Sequence, residues 1–106
     1  MIMVLGLSST RGASEDLARA LDPHVVGQDL LPLAVHRDAK VRAAVASRTD
    51  CPMGAIIALG HDHDIRVLEA VIRNVRTPSS VIRSLADSRN SRIAEQAVQR
   101  LRNSFR

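Results

Sequence analysis

The sequence predicts an all-α chain without β-sheet, a stack of about four two-helix units, and three observations carry the prediction. Val4, Leu30, Ile56 and Ile82 stand 26 residues apart, and Leu7, Leu33, Leu59 and Leu85 form a second column at the same spacing. The columns lie three positions apart, which puts them on one helix face. A second helix per unit follows from Val41, Val67 and Ile93, from Val45, Val71 and Ala97, and from Ala46, Ile72 and Val98, which recur at i and i+4. The small Ala44 and Ala70 sit beside these columns and let helices approach closely, although Gln96 breaks that column in the last unit.

The polar residues punctuate this pattern. Asp38, Asp64 and Asn90 fall in register before the longer helices, where a short side chain caps free backbone N–H groups. Thr77-Pro78 reads as an N-cap followed by proline at the first helical position, and Asp50-Cys51-Pro52 occupies the matching place. The first unit departs from the register. Ser14-Glu15-Asp16 reads as a helix start, but Leu17 and Leu21 match Val41 and Val45 at a spacing of 24. A loop over residues 8–13 and a short link over residues 22–29 then restore the count by Leu30, with Pro32 expected to shorten or kink the short helix.

Composition bounds the function. The 106 residues suit a single domain, 1–106, that is 45% apolar and 25% charged, and therefore folded rather than disordered. Phe105 is the only aromatic residue, so the core is aliphatic and base-stacking platforms are missing. Fifteen Lys and Arg against eleven Asp and Glu give a net charge of +4, which favours acidic partners without choosing among them. The lone Cys51 leaves no intramolecular disulfide and no four-thiolate cluster, which fits a reducing cytoplasm. The apolar residues 1–7 are too short to span a bilayer and lack signal-peptide flanks, so no membrane partner is expected.

Leu33-Ala34 through Asp38, then Val41-Arg42-Ala43-Ala44-Val45-Ala46 and Pro52, then Val67, Ala70-Val71, Asn74 and Thr77-Pro78 resemble variant leucine-rich repeats over roughly residues 4–103. HEAT-like repeats are the near neighbour. The resemblance implies alternating α-helices and short, often 3₁₀, helices wound into a right-handed α-solenoid. Two departures stand out: the Arg42 position becomes Leu68 and Ala94 in later units, and the unit of 26 is slightly long for the family. The cysteine-rich cluster-binding segment of some members has no counterpart, so no cofactor is carried over.

Lys40, Arg66 and Arg92 share one column, and Arg37, His63 and Arg89 share another three positions earlier. Stacked units would align these six into a basic stripe able to meet an acidic protein or to track phosphates. Repeat turns also need solvated residues, and arginine is this chain's usual one. His61-Asp62-His63-Asp64, with His36 and Asp87, has the residue types of a metal site, but a repeat that places polar turns 26 residues apart explains the grouping without metal. Cys51 lies near a helix start, where a dipole lowers a thiol pKa, yet no His or Asn partner is assignable and it reads as a small repeat residue. No phosphate-binding glycine loop is present. Residues 1–3, Leu101 and Phe105 leave apolar side chains at the two ends, which either fold back as caps or meet a second copy to form a homodimer.

The expected function is a non-catalytic repeat module for protein–protein interaction or scaffolding, with an unknown, preferably acidic, protein partner. Nucleic-acid binding through phosphate contacts is the alternative. No cofactor or metal is expected, and the enzyme reading is weakest because no nucleophile, base and orienting group converge.

Overall fold

The computed structural model describes the backbone of residues 2–104 and the side chains of residues 12–104. Among these the chain is helical, with no strand: α1 (Ile2–Leu21), η1 (Gly27–Leu30), α2 (Leu31–Ala34), α3 (Ala39–Ala46), α4 (Met53–Leu59), α5 (Ile65–Arg73), α6 (Ser79–Ala86) and α7 (Ser91–Ser104). Helices α1, α3, α5 and α7 contact one another in sequence order, while α2 contacts α3, α4 contacts α3 and α5, and α6 contacts α7. The radius of gyration is 15.2 Å and the extents are 56 × 29 × 16 Å. A compact chain of this length would have a radius near 13 Å, so the molecule is longer than it is thick.

The aliphatic columns are the core. Leu30, Ile56 and Ile82 are buried, as are Leu33, Leu59 and Leu85; they face Val41, Val67 and Ile93, and Val45, Val71 and Ala97, all buried. Each such leucine, isoleucine or valine contributes roughly 1.5–3 kcal/mol by leaving water. Val4 and Leu7, which head two columns, have side chains outside the described residues. Val98 is 38% exposed although Ala46 and Ile72 in its column are buried. Among the described residues α7 packs on α5 and α6. At Gly60 the end of α4 comes close to α6: a Cβ there would stand 2.7 Å from Val81 Cγ1. Ala34 and Ala86 occupy the same repeat position.

Three expectations are corrected. Residues 8–13 are not a loop, because α1 runs through them and through the expected start at Ser14. That stretch has no proline and only Gly12 as a weak point, and propagation adds a hydrogen bond per residue to a helix already begun. The two-residue shift of the first unit is also absent at its end. Leu21, matched to buried Val45, is 65% exposed, whereas Ala20, 26 residues before Ala46, is fully buried. Finally, Pro78 and Pro52 are themselves the cap residues of α6 and α4. The Thr77 hydroxyl instead donates to the Val71 carbonyl at 2.6 Å, closing the preceding helix.

The short helices are nearly as long as their partners, except in the first unit. Pro32, in the first turn of α2, has no N–H to give the Gln28 carbonyl. The Leu31 N–H takes that acceptor instead, so the segment begins as a 3₁₀ turn. Gly27, at φ +60, makes the left-handed step into it.

Units are joined at their helix C-termini, where the last carbonyls have no intrahelical donor. Arg48 Nη1 donates to the carbonyls of Ala20 (2.9 Å) and Asp22 (2.8 Å), and Nη2 to that of Val25 (2.7 Å). Twenty-six residues later, Asn74 Nδ2 donates to the carbonyls of Ala46 and Arg48, each at 2.8 Å. Twenty-six further on, Arg100 Nη1 donates to those of Ile72 and Asn74 (3.1 Å to the latter). The donor changes from Arg to Asn to Arg, but the acceptors keep the repeat. Asn74 is 5% exposed and its own Oδ1 accepts from the Arg76 N–H. Asn74→Ala takes the side-chain donor from the Ala46 carbonyl, while the Arg48 carbonyl keeps the Cys51 N–H, and should lower stability by about 1–3 kcal/mol, whereas Arg92→Ala at an exposed pair should cost under about 1 kcal/mol. Urea unfolding of both variants checks this, and equal losses would contradict the joint.

Candidate functional site

Each long helix opens in the same way, and this fixes where the basic stripe lies. The side chains of Asp38, Asp64 and Asn90 accept the N–H groups of Lys40 (2.9 Å), Arg66 (2.8 Å) and Arg92 (3.0 Å). These three cations therefore occupy the second helical position of α3, α5 and α7. Arg37, His63 and Arg89 immediately precede the caps. All six are exposed, at the same end of three adjacent helices.

The turn just upstream is equally regular. The His36 Nδ1, the Asp62 carboxylate and the Ser88 hydroxyl accept the N–H groups of Asp38 (3.0 Å), Asp64 (2.9 Å) and Asn90 (3.1 Å). These same positions also reach the neighbouring long helix. His36 Nε2 lies 3.0 Å from Asp16 Oδ2, and since Nδ1 accepts, Nε2 carries the proton that it donates. One unit later Arg42 Nε donates to Asp62 Oδ2 at 2.7 Å and Nη2 to Oδ1 at 3.2 Å, a two-pronged pair. Arg42 Nη1 also donates to the carbonyls of His36 (2.7 Å) and Arg37 (3.0 Å). Leu68 and Ala94 end this series in later units.

The His61-to-Asp64 cluster is thereby resolved into turn roles. Asp62 holds a backbone N–H and Arg42, and Asp64 caps α5, while His61 and His63 are exposed. Among the described residues no three His, Cys, Asp or Glu side chains are grouped to hold a metal ion. Cys51 is buried, and burial, aided by Asp50, pushes its thiol up to about 11. It is therefore a protonated packing residue at neutral pH. Of the chain ends, Leu101 is half-buried, while Phe105 and the side chains of residues 1–3 lie outside the described residues.

Carboxylates interleave with the cations. Arg66 meets Asp64 through Nε (3.1 Å) and Nη2 (3.0 Å), and Arg92 Nη2 lies 3.4 Å from Glu69 Oε2. The positive end of a helix is unfavourable for a cation, which these partners offset. The band is therefore a mixed surface with a basic edge rather than a continuous positive track. Glu69 was not singled out from the sequence, because its partner Arg92 and the amide of Gln96, which donates to it at 2.8 Å, both lie in the next unit.

Burial raises the Asp62 carboxyl, but the bonds from Arg42 and the Asp64 N–H, with Arg42's charge, outweigh it and hold the pKa below the ordinary range. Asp64 is lowered chiefly by the Arg66 side chain and its N–H, and Asp50 by Arg48. Lowered carboxylates stabilise the fold above their unfolded pKa, about 3.9, and lose that contribution as pH falls through the folded values. Asp62→Asn should cost about 1–3 kcal/mol at neutral pH and flatten the loss of stability below about pH 4. Urea unfolding across that range measures both, and an unchanged acid slope would remove Asp62 from this role. No family model, curated protein or solved structure matches the chain, so its own residues carry the functional reading.

Proposed function

We propose that the chain is a non-catalytic interaction module, a right-handed α-solenoid of the variant leucine-rich-repeat or HEAT-like kind that binds an acidic protein surface through Arg37, Lys40, His63, Arg66, Arg89 and Arg92. The observation that carries the reading is the recurrence of six exposed side chains at the starts of three adjacent helices. Most polar groups behind them are committed to caps, turns and joints between units. Stacked, nearly equivalent helical pairs expose extended surfaces of this sort, and charges there contribute chiefly to partner choice and encounter rate.

Phosphate binding is the second reading, favoured by the same cations. Asp64 and Glu69, each paired with a stripe arginine, interrupt the continuous positive track that evenly spaced phosphates would follow, whereas a protein surface can place its carboxylates only opposite the cations. The proposal includes a cytoplasmic setting, supported by the buried lone thiol. No helix among the described residues is long and apolar enough to cross a membrane.

The test compares poly-glutamate with a short DNA duplex as fluorescent probes at low and moderate salt. Poly-glutamate is expected to bind more tightly, and the Lys40→Glu, Arg66→Glu, Arg92→Glu triple variant to lose at least about tenfold with unchanged helicity by circular dichroism. Tighter binding of DNA, weakened by the same substitutions, would establish the phosphate reading in its place. Absence of binding to either probe at low salt would remove both.

A further inference from the structure

Helices with a solvent-facing side ordinarily carry charge there. Neither α2, Leu-Pro-Leu-Ala, nor α4, Met-Gly-Ala-Ile-Ile-Ala-Leu, has a charged or hydrogen-bonding side chain. The outward residues Leu31, Val35, Met53 and Ile57 are exposed by 44, 80, 41 and 43%. The next helix of the row, α6, turns Ser79, Ser80, Arg83 and Ser84 outward instead. The apolar strip is therefore confined to α2 and α4 and is not a habit of the repeat. Exposed apolar surface of this kind marks an interaction site.

Between the two helices the strip is hollowed, with a volume of about 410 Å³, and Leu31, Val35, Gly54 and Ala58 are among its walls. Gly54 is informative. A Cβ built there meets nothing within 4 Å, so packing does not require a glycine that costs a helix about 1 kcal/mol relative to alanine. Its missing side chain leaves that stretch of the hollow's wall bare. The Arg42–Asp62 pair stands at its edge, and the chain leaving α2 passes from Val35 to Arg37 and Lys40. Arg42, in the wall of the hollow, donates to the Arg37 carbonyl at 3.0 Å, so the hollow adjoins the backbone that carries the basic edge.

From this adjacency and charge we infer that the strip receives an acidic amphipathic segment of a protein partner, whose apolar side chains enter the hollow while its carboxylates face Arg37 and Lys40. This deepens the protein-binding reading and rests on it. A second copy of the chain fits less well, because it brings its own net charge of +4 and the same basic edge.

The experiment titrates the full chain with three synthetic 14-residue peptides, followed by fluorescence anisotropy and amide chemical shifts. One has leucine at i, i+3, i+4 and i+7 with glutamate elsewhere; the second replaces leucine by serine; the third replaces glutamate by lysine. The Glu/Leu peptide is expected to bind at least about tenfold more tightly than either other, shifting amides of α2 and α4. Gly54→Leu, which fills the hollow and favours the helix, should reduce that binding at least about tenfold while melting no lower than the parent. If the Glu/Ser peptide binds equally well, the strip is not the anchor and the charge-based reading alone survives. Equal binding of the Lys/Leu peptide would keep the hollow and discard the acidic partner. A concentration-dependent dimer abolished by Ile57→Ser would make the second copy the occupant and overturn the inference, and no binding of the Glu/Leu peptide would also overturn it.

Discussion

A helix ends with carbonyls that its own backbone cannot satisfy, and in this protein that deficit joins one unit to the next. Arg48, Asn74 and Arg100 each reach back to carbonyls 26 and 28 residues earlier. Burial alone would tolerate sliding between smooth aliphatic faces, since dispersion and hydrophobic contacts have little directionality. A donor aimed at two carbonyls does not. The joint therefore sets the register in which Leu30, Ile56 and Ile82, or Val41, Val67 and Ile93, meet as layers.

The opposite helix ends are tied differently. There a polar side chain closes each turn and, in the first two described joints, also crosses to the neighbouring helix through Asp16–His36 and Arg42–Asp62. Charge sits on the outside of this framework, at the second helical position, where it neither packs nor caps. Lys40, Arg66 and Arg92 are exposed while their backbone N–H groups serve the caps, although Arg66 also bonds its cap Asp64 through Nε and Nη2 and Arg92 lies against Glu69. Structural and interacting duties are thus divided within single residues.

Much of this was legible from the sequence where one physical requirement fixes residue type. A buried position admits only aliphatics, so the core columns announce themselves; a cap wants a short acceptor, so Asp38, Asp64 and Asn90 do too. The unit joint was not legible, because a carbonyl accepts equally from a guanidinium or an amide, and Arg48, Asn74 and Arg100 share no residue class. The first unit misled because Leu21 is apolar, yet lies just beyond the contact that buries Ala20. The basic stripe was visible as a column. Its neutralising carboxylates were not, since Arg92 pairs across units with Glu69. The apolar strip escaped notice because Leu31 and Ile57 look like core residues until the fold turns them outward.

The helix joint has a consequence for growth. Its acceptors are main-chain oxygens, which every helix end supplies whatever its sequence, so a copied 26-residue segment arrives with its attachment points already made. Only the donor at one position and a few interior aliphatics need survive the copying. Lengthening such a protein by duplication is consequently easier than lengthening one whose parts are matched side chain to side chain, and Arg48, Asn74 and Arg100 show that a guanidinium or an amide can serve at the joint.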